Sequence, residues 1–98
     1  MAKLTSSQIK RALAALSQWS RSRSVITRTY EFDDFVQAMT FVNKVARLAE
    51  KAQHHPDIDI RWNKVTLALT THDAGGLTEK DFELAGKCDR MGSVKRKT

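Results

Sequence analysis

The stretch Glu50–His72, EKAQHHPDIDIRWNKVTLALTTH, decides how this chain folds. Its proline, Pro56, is the only one in the sequence. Proline supplies no amide hydrogen and its ring keeps the preceding residue out of the helical region, so a helix arriving from the N-terminal side has to stop here. Beyond Pro56 the hydrophobic period changes to two. Ile58, Ile60 and Trp62 fall on one face, with Asp57, Asp59 and Arg61 on the other. After Asn63 the alternation resumes through Val65, Leu67, Leu69 and Thr71. Such a pattern predicts two antiparallel strands with one wet face. His54 and His55 then sit at a helix C-terminus and His72 at the end of the second strand. A hairpin whose open end faces the helix end brings the third imidazole back toward the first two.

Upstream, Asp33 and Asp34 stand as acidic caps before FVQAMTFVNKVARLAEKAQ. There Phe35, Ala38, Met39, Val42, Val45, Ala46 and Ala49 keep the spacing of one helical face for over four turns. Before that helix, Val25, Thr27 and Thr29 alternate with Ile26, Arg28 and Tyr30, a β-branched strand pattern. Trp19 to Ser22 supplies a short partner strand across a tight turn near Ser22–Ser24. The chain opens with Thr5 and, three residues on, Gln8, the spacing of a capping box, followed by Ile9, Leu13 and Leu16 at helical intervals. Downstream, Gly75 and Gly76 mark a loop in which both are free to take positive φ. Thr78 and Asp81 then form a second capping-box spacing, for a last helix through Leu84 and Ala85 to about Cys88. The order α-β-β-α-β-β-α implies an α+β fold, a four-stranded antiparallel sheet with three helices packed on one face.

At 98 residues and 41% hydrophobic content the chain is expected to be a single globular domain, 1–98. The longest apolar run near the N-terminus, Ala12–Leu16, is far too short for a signal peptide or a membrane span, so a cytoplasmic location is expected. A single cysteine, Cys88, suits a reducing compartment and reads as a small buried hydrophobe rather than a nucleophile. The net charge of +6 is unevenly spread. Residues 1–28 and 90–98 carry only Lys and Arg, whereas residues 29–89 carry seven basic against eleven acidic side chains. Every histidine lies in that acidic middle, which argues against direct nucleic-acid binding. Residues 91–98 read as a flexible basic tail, with nuclear import as its alternative role.

Near neutral pH the imidazole alone exchanges a proton without environmental tuning. Three within nineteen residues therefore suggest general acid–base chemistry. Zinc is the weaker reading, because adjacent residues rarely point at one ion and no cysteine or carboxylate spacing supports it.

The spacing Glu50, His54, His55, Pro56, Trp62, His72 and Asp81, with gaps of three, five, nine and eight residues, resembles the signature of the pterin-4a-carbinolamine dehydratase family. The likeness extends over about residues 19–89. It implies dehydration of a 4a-hydroxy-tetrahydropterin to the quinonoid dihydropterin, the recycling step after aromatic amino-acid hydroxylation. No metal or organic cofactor is implied. By the resemblance His54, His55 and His72 are the catalytic residues, His55 as base or orienting group and His54 and His72 as proton donors. Glu50, Pro56, Thr70, Thr71 and Asp81 join them in holding the pterin. Glu50 is open to two further readings, orienting a histidine or merely lying solvated on the helix. Asp81 is equally well explained as the helix cap, and Trp62 either walls the site or packs the core, with the core favoured. Gln53 departs from many relatives and stays outside the site. Family members form dimers or tetramers, and some animal relatives bind a homeodomain transcription factor, so self-association and a partner in transcription are the implied interactions.

Overall fold

In a computed structural model the chain is described over residues 2–93. Helix α1 (Ser6–Ala14) opens with both halves of the capping box: Gln8 N donates to Thr5 Oγ1 at 3.2 Å and Thr5 N to Gln8 Oε1 at 2.9 Å. Strands β1 (Ser20–Ser22) and β2 (Val25–Glu31) form a hairpin whose turn places Arg23 at φ 57. Helix α2 (Phe35–Ala52) is capped by Asp34, whose side chain accepts from Gln37 N at 2.9 Å. Strands β3 (Asp57–Arg61) and β4 (Lys64–Leu69) follow, then one 3-10 turn (His72–Ala74) and helix α3 (Glu79–Ser93). The four strands lie in the order β1-β2-β4-β3, every neighbouring pair antiparallel. The expected α+β order and sheet are therefore present. Among the described residues no helix is long and apolar enough to cross a membrane.

Alternation puts Val65, Leu67 and Leu69 of β4 and Ile26 and Tyr30 of β2 inward, where they join Val42, Val45, Leu84 and Ala85 in one core. The other face of the sheet carries polar pairs, such as the Thr29 and Thr66 hydroxyls 2.8 Å apart. Four sequence expectations are corrected by the packing. On α2 the buried positions are Ala38, Phe41, Val42, Val45 and Ala49, while Phe35 and Ala46 face solvent, so the apolar stripe is rotated from the predicted one. Phe41 turns inward because it meets Tyr30 and Phe32 at ring-centroid distances of 4.5 and 5.1 Å. Ile58 and Ile60 share the inward face with Leu67 and Val65, but β3 is the sheet edge and both remain 37% exposed. Trp62 does not pack the core: it is 64% exposed in the two-residue turn before Lys64, with φ 52. The last helix also runs past Cys88 to Ser93, because Gly92 lets it approach Tyr30; a Cβ there would fall 2.8 Å from the ring. Residues 91–93 are thus helical, and the rest of the predicted basic tail lies outside the described residues.

One half-buried network has no counterpart in the sequence reading. Asp89 on α3 accepts from Trp19 Nε1 at 3.0 Å, from Arg28 Nη1 at 2.8 Å and from the Tyr30 hydroxyl, so α3 is tied to the strand hairpin. Arg28 lies on the core face opposite Leu67 and its guanidinium stacks 4.3 Å from the Tyr30 ring centroid. This contact is what allows a cation on an inward position. Burial, reinforced by the hydrogen bond and the charge of Asp89, raises the Tyr30 hydroxyl's pKa. Burial and then Asp89 push the Cys88 thiol from 9.0 to about 12.

Both shifts predict alkaline lability. The unfolded thiol ionises first, so stability is intact below about pH 9 and declines as pH rises toward 12. Thermal melting followed across this range is expected to show the decline, with a shallower slope for Cys88→Ala.

Candidate active site

The end of α2 is set by Gln53 rather than by Pro56. Gln53 adopts the left-handed conformation at φ 54, and its amide donates to the carbonyls of Ala49 and Glu50. The His54 amide donates to Ala49 O at 3.1 Å, closing the helix end in the manner of a Schellman turn. This reversal, three residues before the proline, swings His54 inward while His55 remains outside. The two neighbours consequently have different surroundings: His54 is 9% exposed, and the His55 side chain 58%.

His54 Nε2 lies 2.6 Å from Oδ1 of Asp81, a carboxylate with no exposed surface. The other oxygen, Oδ2, accepts from Thr71 Oγ1 at 2.8 Å and from Thr78 N at 2.9 Å. The Thr71 and Thr78 hydroxyls are also bonded to each other at 2.9 Å. The helix-cap reading of Asp81 is the one observed, since its side chain accepts from the Thr78 amide at the start of α3, and the same carboxylate also holds the histidine at the end of α2. An ionised carboxylate only accepts, so Nε2 carries the hydrogen and Nδ1 is left to face elsewhere. His55 shows the same pairing on the surface: its Nε2 lies 2.6 Å from Glu50 Oε2. The orienting role considered for Glu50 is thus realised as a contact with His55, one turn of backbone away.

Thr71 also sets the third imidazole. Its amide and carbonyl pair with Gly76 at 3.2 and 3.3 Å, which pinches residues 71–76 into a closed loop. His72 begins the 3-10 turn inside that loop and is exposed; Gly75 N donates back to His72 O at 3.0 Å. Only Gly75 takes positive φ, at 75; Gly76 lies under the Lys3 side chain, whose Cδ would stand 2.5 Å from a Cβ there. Thr70 directs its hydroxyl to Ser24 O at 2.6 Å, and Pro56 is half-buried between His55 and β3. Trp62 stands at the opposite end of β4 from Thr71, so it does not wall this cluster. The structure thus joins His54, Thr71 and Asp81 in one network and sets His55 with Glu50 on the adjoining surface. The sequence reading missed Gln53 as the residue that separates the two histidines, and Thr78 as a partner within the network. Thr78 was signalled by its capping-box spacing; Gln53 carried no signal, because glutamine is not a usual left-handed residue.

By its fold the chain is a pterin dehydratase-like α+β domain. It superposes on the crystal structure of a transcriptional coactivator/pterin dehydratase from Brucella melitensis with a TM-score of 0.89, at 38% identity, over 92% of this chain and 98% of that one. A pterin dehydratase-like protein described as a RuBisCO assembly factor of the alpha-carboxysome shares the fold alone, with a TM-score of 0.63 at 20% identity, over 76% of this chain and 86% of that one. The sequence narrows the class. Residues 2–91 match the family model of pterin 4 alpha carbinolamine dehydratase. A protein of Acidobacterium capsulatum whose name places it among these dehydratases is 57% identical over 93% of this chain and 99% of its own length. A similarly named protein of Thermomicrobium roseum is 50% identical over 95% of this chain and 100% of its own. The chain belongs to the pterin 4 alpha carbinolamine dehydratase family.

Removing the buried carboxylate leaves a histidine, a hydroxyl and an amide without their acceptor. Asp81→Ala is therefore expected to cost about 3 kcal/mol or more in urea denaturation, and Thr71→Val about 1 kcal/mol.

Proposed function

We propose that this chain dehydrates a 4a-hydroxy-tetrahydropterin to the quinonoid dihydropterin and water by histidine acid–base catalysis. The observation that carries the reading is the double attachment of Asp81, which bonds His54 directly and Thr71, the residue before His72. One rigid anchor thereby holds the ends of α2 and β4, which bear the three imidazoles. Family membership supplies the substrate class.

The reaction needs two proton movements around one planar ring. The C4a–O bond breaks as the hydroxyl takes a proton and departs as water, and a ring nitrogen releases a proton as the carbon–nitrogen double bond forms. No electrons are transferred to another molecule. His72 and His54 donate, and His55 accepts or orients, as the resemblance implies. Two contacts support the reading for the paired histidines: Asp81 holds the Nε2–H of His54, which donates from Nδ1 as the imidazolium, and Glu50 holds Nε2 of the more exposed His55 in the same way. Thr70 and Thr71 close the strand beside His72, and Pro56 stiffens the chain after His55.

Self-association accompanies this reading. Phe35, Val36, Ile58, Ile60 and Trp62 are exposed large apolar residues, and a homodimer or homotetramer would cover them.

The test follows quinonoid dihydropterin formation from synthetic carbinolamine. His55→Ala and His72→Ala, both exposed positions, are expected to keep wild-type melting temperatures and lose about 100-fold or more in kcat. Wild-type rates in both variants would refute histidine catalysis.

A further inference from the structure

A groove of about 560 Å³ runs between the start of α1, the β1–β2 turn and the loop that follows His72. It is lined by Lys3, Arg21 and Arg23 and by no carboxylate. Among the described residues none of these three cations forms an ion pair. Asp73 stands in the neighbouring turn, and Glu79 and Glu83 border an adjoining groove that shares Lys3, but none of the three lines this one. Three positive charges gathered around a concavity without a counter-charge repel one another, and an anion seated among them relieves that repulsion.

The cations are placed rather than loosely scattered. Leu4 N donates to Leu77 O at 2.8 Å, which lays the Lys3 stem across Gly76; a Cβ on residue 76 would fall 2.5 Å from Lys3 Cδ. Arg21 Nε donates to Arg23 O at 2.6 Å across the hairpin turn. That turn is itself tied to the end of β4 by the bond from Thr70 Oγ1 to Ser24 O. The groove and the His72 loop are therefore one unit. Gly75, which lines the groove, is bonded through its amide to the carbonyl of His72 at 3.0 Å.

We propose that this groove receives a phosphate carried on the side chain of the pterin, so that the substrate class is a pterin with an anionic, phosphorylated substituent. The inference rests on the dehydratase reading for its ring and on the groove for its tail. A ring held at His72 extends its substituent across Gly75 and Gly76 into the groove, where the guanidinium groups of Arg21 and Arg23 offer charge-assisted contacts to phosphate oxygens.

The test has a binding arm and a rate arm. For binding, the stable oxidised pterins bearing a hydroxyalkyl chain, or the same chain ending in a phosphomonoester, are titrated into ¹⁵N-labelled protein. Inorganic phosphate alone serves as the comparison. The phosphorylated pterin is expected to bind about tenfold more tightly than the neutral one and to shift the Gly75 and Gly76 amides. The advantage should vanish in the Lys3→Gln, Arg21→Gln, Arg23→Gln triple variant and persist in Arg61→Gln, a cation at the other end of the sheet. Equal affinity for the two pterins, or an advantage that survives the triple variant, overturns the proposal. Inorganic phosphate binding as tightly as the phosphorylated pterin overturns it also, since the site would then serve a free anion. For rate, kcat/KM is measured on the two carbinolamines; the triple variant should lose the preference and retain its rate on the neutral substrate. If neither carbinolamine is dehydrated by the wild type, the dehydratase reading fails while the binding arm still decides the groove.

Discussion

A carboxylate removed from all solvent is costly unless its oxygens find donors, and Asp81 meets that condition by drawing three parts of the chain onto itself. The end of α2 contributes His54, the end of β4 contributes Thr71, and the start of α3 contributes the Thr78 amide. Each is a hydrogen bond to a charged acceptor, a kind worth about 1.5–3 kcal/mol where it forms. The same three contacts fix where the helices end relative to the sheet. The candidate site stands on this junction.

A division of labour follows among residues that are adjacent in sequence. His54 is buried and held, whereas His55 is exposed and only lightly restrained by Glu50. The left-handed Gln53 produces the difference, because it ends the helix early enough for consecutive side chains to point to opposite sides of the chain. At the far end of α3, Asp89 repeats the device with Trp19, Arg28 and Tyr30. Helix α3 is therefore stapled to the rest of the molecule by one acidic side chain near each end. Only the first of these lies at the candidate site; the second secures the fold.

Much of this was legible in the chain. Both capping boxes, the long second helix and the two hairpins follow from local chemistry, which a single sequence states directly. The seven residues of the spaced signature, read as Glu50 through Asp81, pointed to the right family. What could not be read depends on what lies across from a residue. The period of α2 allows either Phe35 or Phe41 inward, and the choice falls to the rings of Tyr30 and Phe32, whose contact with Phe41 depends on how the helix lies on the sheet. Alternation along β3 marks one apolar face without saying that the strand is an edge, so Ile58 and Ile60 are only half-covered. Trp62 continues that alternation on paper, yet the turn takes it out of the strand altogether. The Asp89 network joins residues up to seventy apart, beyond the reach of any spacing rule. For the site, the three imidazoles were visible, but their unequal burial was not, since it hangs on a positive φ at a glutamine.

The most direct test of this account is the imidazole ¹⁵N spectrum of the folded protein. Asp81 as the buried anchor predicts that the His54 ring carries its hydrogen on Nε2 and that this proton exchanges slowly with water, in contrast to the ring of exposed His72. A His54 proton on Nδ1, or one exchanging as fast as that of His72, would contradict it.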